Sequence, residues 1–339
     1  MRPLSPTFLS GLVLAAALAF SACDASGTDD AGTQTVVAAF LEAGEPFPEV
    51  RLSRTVLLGE VYDDAAAAIN DAVVAVELLG PGGVEARTTY ALDPDTLLGR
   101  YLPVDGSADV LPGRTYRLVV QARGQAVTAE TTVPPLFEVV EPLPDEVVYQ
   151  SVPSGPPLRI TTSSTGGRQA VYVATAAALQ PDEFAPFLEG GETRYRSRNL
   201  PGRFRPVSFF ARVSGCDEEG ASLVCDRDPT RVFTAGTSPI INESSYVLPG
   251  DGTAIVNVPW FSFGFYGPSE VSVIALDDAF QDFIETRTLQ SGGGTISPGE
   301  IPNVTTNVTG ALGVFGSFAR VTVRTTILDE AAGPPAAGR

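Results

Sequence analysis

A chain with neither histidine nor lysine has few routes to catalysis, and none of these 339 residues is either. That excludes Ser-His-Asp and Cys-His nucleophile systems, imidazole metal sites, Schiff bases and lysine general bases. What remains is 40 carboxylates, nine tyrosines, hydroxyls and three cysteines. A carboxylate pair at glycosidase spacing is the reaction these could carry, and no motif selects one pair from forty. Asp277-Asp278 stands where a helical pattern begins, a place where carboxylates complement the dipole and cap amides. Asp217-Glu218-Glu219 falls in a polar turn, and neither group has the spacing of a calcium loop. No cofactor and no metal is implied.

Binding chemistry has two candidates. Arg194, Arg196, Arg198, Arg203 and Arg205 crowd into RYRSRNLPGRFR, the one basic concentration in a chain of net charge −18. They suit an anionic ligand or, as the plainer reading, a strand face paired with acidic neighbours. In WFSFGFY, Phe261, Phe263 and Phe265 alternate as a core-facing strand would. Trp260 and Tyr266 then fall on the opposite face, as candidates for stacking on sugar rings or a partner.

The cysteines divide by position. Cys23 closes FLSGLVLAAALAFSAC, an apolar run behind Arg2 that is too short to span a bilayer. Ser21-Ala22-Cys23 reads as a lipobox, with residues 1–22 a cleaved signal and Cys23 the lipid-bearing residue. The alternative is an ordinary signal peptide with an incidental cysteine. Lipidation leaves an even pair, Cys216 and Cys225, bracketing DEEGASLV, which we read as a disulfide staple in an oxidising compartment. A zinc or redox role fits poorly in a chain without histidine. The acidic balance argues against nucleic acid and anionic lipid as partners.

These groups must be held by mostly β structure. Residues 23–34 are small and acidic and read as a flexible tether. From 35 to 135, about seven alternating runs separated by turn residues predict an immunoglobulin-like β-sandwich. Val50, Leu52, Arg54 and Val56 share one face there, as do Tyr116, Leu118 and Val120, and Ala65–Ile69 suits a helical turn. Residues 136–328 predict a larger β-rich domain with one helix, Asp278 to about Leu289, for which Asp278 and Gln281 suggest a capping box. Residues 329–339 read as a loose tail.

Two stretches carry a family likeness. GRYLPVDGSADVLPGRTYRLVVQARGQAVTAETTVP has a tyrosine strand, a Pro-Gly turn and a Thr-Tyr-x-Leu strand ending before prolines. VSVIALDDAFQDFIETRTLQ and IPNVTTNVTGALGVFGSFA form the second, with Gly-Val-Phe-Gly leading into the last strand. Together they resemble domain-of-unknown-function family 4249, over most of residues 35–328. The resemblance implies a cell-envelope lipoprotein of Bacteroidota-type bacteria, encoded near TonB-dependent outer-membrane receptors. The expectation is therefore a non-catalytic accessory or binding subunit, lipid-anchored in the outer membrane on its periplasmic or extracellular side, with such a receptor as partner. A stand-alone glycan-binding or adhesion module and a carboxylate-based hydrolase are the alternatives.

Overall fold

A computed structural model describes residues 33–57, 59–104, 108–150, 154–165, 167–179, 235–264, 266–290 and 305–328, and short strands within 188–225. The chain is mostly β. Seven strands come first: β1 Thr35–Glu42, β2 Val50–Arg54, β3 Val73–Gly80, β4 Gly83–Leu92, β5 Arg100–Pro103, β6 Thr115–Ala122 and β7 Gln125–Thr132. Then follow β8 Val139–Glu141, β9 Glu146–Val148, β10 Pro157–Thr161, β11 Ser164–Thr165, β12 Arg168–Gln169 and β13 Val171–Ala178. The short strands are β14 Leu188–Glu189, β15 Arg194–Arg196, β16 Cys216–Glu219 and β17 Ser222–Cys225. The remainder are β18 Ala235–Thr237, β19 Thr253–Asn257, β20 Gly267–Leu276, β21 Val308–Thr309 and β22 Leu312–Leu328. A one-turn helix spans Asp64–Ala67 and a longer one Asp278–Gln290.

Alternation builds the early strands. β1 buries every second residue from Thr35 to Leu41, and β6 buries Tyr116, Leu118, Val120 and Ala122. β1 to β7 pair in the order β1-β2-β5-β4-β3-β6-β7, and every pairing in that run is antiparallel. The two-residue hairpin between β6 and β7 shows the turn chemistry. Arg123 and Gly124, with φ of 53° and 75°, join β6 to β7, the left-handed pair that a tight hairpin requires.

The same sheet continues past residue 135. β22 lies parallel to β1, from Val36 opposite Leu312 to Glu42 opposite Phe318, and on its other side pairs β20, which pairs β13. The result is a 13-stranded sheet whose far end returns to the beginning, because β21 pairs β7. Asn307 completes that return: its Nδ2 donates to the carbonyls of Glu130 (2.9 Å) and Phe315 (2.7 Å), while its Oδ1 accepts from Phe315 N (3.1 Å). The hydrophobic interior is correspondingly continuous, joining Val37, Leu52, Leu118 and Val127 with Leu158, Tyr172, Val256 and Phe315.

Gly313 makes the parallel join possible. Its φ is +114°, and a Cβ there would lie 1.9 Å from the carbonyl oxygen of Val37. The boundary expected at residue 135 thus separates two stretches of sequence that share one sheet.

Candidate functional site

Where β7, β12, the end of β20 and the long helix meet, the fold leaves a cleft of about 840 Å³. Its wall includes Glu130 and Thr131 from β7, Arg168 from β12, Glu243, and Asp277, Asp278 and Asp282 from the helix start. Asp278 and Arg168 form an exposed ion pair across it.

Asp277 is the deepest of these carboxylates, 9% exposed. It directly precedes the helix and caps it: Oδ1 accepts from Phe280 N at 2.9 Å. The same oxygen accepts from Ser317 N at 3.0 Å, and Oδ2 accepts from the Thr131 hydroxyl. Thr131 and Ser317 also join through their hydroxyls at 2.6 Å. The backbone follows suit, with Asp277 N donating to Ser317 O at 3.0 Å. Burial pushes the Asp277 carboxyl above the usual aspartate range, although these three donors pull it down.

The cap expected at Asp278 lies one residue earlier, at Asp277, whose Oδ1 takes Phe280 N, while Asp278 is exposed and paired with Arg168. The helix itself lies where the periodicity placed it. Phe280 packs on Phe40 (ring centroids 4.6 Å apart) and Phe318 (5.9 Å), and Phe283 on Phe40 (6.0 Å). Gly316 lets it approach, since a Cβ there would meet Phe280 Cβ at 2.9 Å.

The aromatic candidates are placed differently from expectation. Trp260 and Tyr266 are buried, at 4% and 6% exposure, so neither offers a face to a sugar ring or partner. The stretch is not a strand: β19 ends at Asn257, and Trp260–Ser262 form a 3₁₀ turn behind Pro259. That turn rotates Trp260 inward against Tyr149 (5.1 Å, edge to face) and Phe263 (5.5 Å), and Tyr149 meets Tyr266 at 5.9 Å. Phe263 is core, as alternation suggested, and Phe265 lies outside the described residues.

The arginine candidates are split. Arg194 and Arg196 lie on β15, between β14 and β17, while Arg198, Arg203 and Arg205 lie outside the described residues. Register puts Arg194 level with Glu189 and, through Val224, with Asp217; Arg196 is level with Ser222 and Glu219. Cys216 and Cys225 are register partners on β16 and β17. Cys23 lies outside the described residues.

A family model described as "Domain of unknown function (DUF4249)" matches residues 25–324. The chain belongs to the DUF4249 family. No curated protein matches it. Among solved structures, trypsin-activated α2-macroglobulin from Escherichia coli aligns at 11% identity and a TM-score of 0.17, over 72% of this chain and 14% of that one. The elastase-activated form aligns at 11% identity and 0.21, over 87% and 23%. Three N-terminal domains of the outer capsid protein Hoc from bacteriophage RB49 align at 8% identity and 0.20, over 88% and 70%. The chain thus spans under a quarter of the α2-macroglobulins, and at such scores nothing is carried over from any of the three.

What sequence reasoning missed is the partnership of Asp277 with Thr131 and Ser317. The Asp-Asp pair was visible as a helix start, but its partners lie 146 and 40 residues away. No local spacing announces them.

Proposed function

We propose that this DUF4249 chain is a lipid-anchored outer-membrane protein that binds or docks rather than catalyses, as the accessory subunit of a TonB-dependent receptor. The observation that carries the non-catalytic reading is the state of Asp277. It is the one deeply buried carboxylate of the cleft, and its two oxygens take three donors that hold strands and helix together. A general acid or nucleophile needs a free oxygen facing substrate. With Asp278 paired to Arg168, and no histidine or lysine in the chain, the cleft is better suited to binding.

The anchor reading rests on the lipobox at Cys23. We include a Cys216–Cys225 disulfide in this reading. Directly opposed residues on antiparallel strands have Cα atoms ~4.5–5.5 Å apart, within the range a disulfide spans. The glycan-binding alternative loses its aromatic basis with the burial of Trp260 and Tyr266.

Two experiments test the proposal. Cys23→Ala should move the protein from the membrane to the soluble fraction; retention on the membrane overturns the anchor. A mild-detergent pull-down of the tagged protein from its native outer membrane, read by mass spectrometry, should recover a stoichiometric TonB-dependent receptor. Recovery of the protein alone overturns the accessory role in favour of a free-standing binding module.

A further inference from the structure

The strands of the first unit have two ends, and the chain enters at one of them. Gln34 N donates to Thr55 Oγ1 and Thr55 N to Gln34 O, both at 2.8 Å, so the entry lies where β2 ends. The β6–β7 turn is at the same end, since Arg123 donates to the carbonyl and hydroxyl of Thr33. So are the loops on either side: Gly99 O accepts from Leu52 N, and Ala68 bridges Ser53.

This end exposes large apolar side chains. Val61 is 92% exposed, Val73 65%, Tyr62 55% and Leu97 52%, with Leu98 and Leu57 just under half. Leu97 holds a left-handed φ of 47°, in a loop pinned by Asp93 through Asp95 N (3.0 Å) and Thr96 Oγ1 (3.2 Å). The opposite end exposes Val84, Val104 and Leu111 as well, so apolar exposure alone does not choose between the ends; the chain's point of entry does.

We propose that this end of the sheet rests on the lipid surface, its apolar loops entering the headgroup region of the bilayer that holds Cys23. The inference builds on the lipid-anchor reading above. Cys23 is ten residues from Thr33, and ten residues span at most ~35 Å however they are arranged. The anchored end must therefore stay near the membrane. Tyr62 has the amphipathic ring favoured at that depth. Glu60, Asp63 and Asp64 flank Val61 and Tyr62, which selects a zwitterionic over an anionic surface.

The orientation has a consequence for the cleft. β7 runs from Gln125 at the membrane end to Thr132, about 27 Å for eight residues, and Glu130 and Thr131 line the cleft. The cleft then lies toward the end of β7 remote from the bilayer.

The test supplies its own tether. Residues 24–339 carrying an N-terminal hexahistidine tag are bound to phosphatidylcholine vesicles through nickel-chelating lipid, in a chain with no histidine to compete. Tyr62→Trp reports from the proposed contact and Val84→Trp, half-exposed near the β3–β4 turn, from the opposite end; buried Trp260 is a constant background. Brominated phosphatidylcholine should quench Tyr62→Trp emission and leave Val84→Trp at the wild-type level, and adding Val61→Asp should abolish the quenching. Equal quenching at both positions overturns the proposal. A Tyr62→Trp spectrum that shifts with protein concentration before vesicles are added also overturns it, in favour of a second copy on this end. Stronger quenching when phosphatidylglycerol replaces part of the phosphatidylcholine overturns the zwitterionic choice. Because the tag replaces the lipid, these outcomes stand whatever the Cys23→Ala fractionation shows.

Discussion

The Thr131 hydroxyl donates to Asp277 across 146 residues of sequence, tying the last strand of the early sheet to the start of the long helix. Asp277→Ala would leave the N–H groups of Phe280 and Ser317 without an acceptor, while the Thr131 hydroxyl keeps Ser317 Oγ. Each buried orphan costs about 1–3 kcal/mol, so a loss of roughly 2–6 kcal/mol is expected. Asp277→Asn keeps Oδ1 for both N–H groups and should lose less than half as much. Urea unfolding with an unchanged m-value measures both. Equal losses would mean that the carboxyl holds nothing together.

The same residue sets a pH dependence of definite sign. Burial raises the Asp277 pKa in the folded state above the ordinary 3.8, so folding favours the protonated form. Its stabilising contribution is present below pH 3.8 and is lost as pH rises through the folded value. Glu49, Asp93 and Asp251, each held low by hydrogen bonds or arginine, run the other way and lose their contribution as pH falls. Asp277→Asn retains those three and removes only the first. The wild type should therefore lose stability relative to Asp277→Asn as pH is raised from 3.8, and parallel pH profiles would contradict the assignment.

Gly313→Ala tests the join between the early and late strands. A Cβ would strike the Val37 carbonyl while φ stays in the region that favours glycine. Overpacking and backbone strain each cost about 1–3 kcal/mol, so roughly 3–5 kcal/mol should be lost and the thermal midpoint should fall accordingly. Gly82→Ala, with nothing within 4 Å of its Cβ, should change stability by under about 0.5 kcal/mol.

That join also marks the limit of what the sequence discloses. Tyr116, Leu118 and Val120 alternate, and so β6 was legible; Phe280 and Phe283 keep helical spacing, and so was the long helix. Parallel pairing of β1 with β22 was not, because nothing in Thr35–Glu42 encodes a partner 276 residues on. Phe261, Phe263 and Phe265 illustrate the converse. Their alternation is real, but Pro259 fixes the chain into a 3₁₀ turn that strand periodicity does not anticipate. Of the cleft, the Asp277-Asp278 pair was readable, whereas which aspartate turns inward is set by Thr131 and Ser317, far off in the sequence.

Cys216 and Cys225, as opposed residues on β16 and β17, should resist thiol labelling in denaturant without reductant and label fully after reduction. Closing a loop of about ten residues stabilises by roughly 2.5–3 kcal/mol in the chain-entropy model, so Cys216→Ser with Cys225→Ser should lose about that much. Labelling of both thiols before reduction would refute the staple.

Arg123 sets two effects against each other. Its Nη1 donates to Thr33 O at 2.7 Å and its Nη2 to Thr33 Oγ1 at 2.9 Å, fixing the chain's entry, while its backbone sits at a φ of 53°. Arg123→Ala removes both hydrogen bonds and keeps the left-handed backbone. Arg123→Gly removes the bonds too but relieves about 1 kcal/mol of conformational strain. The glycine variant should therefore be more stable than the alanine variant by about 1 kcal/mol in denaturant unfolding. Hydrogen exchange separates the terms, because Gln34 N–H, bonded to Thr55 Oγ1 beside the entry, depends on the clamp and not on the turn. Its protection should fall equally in both variants. Protection retained in Arg123→Gly would show that the turn, and not the guanidinium, holds the entry in place.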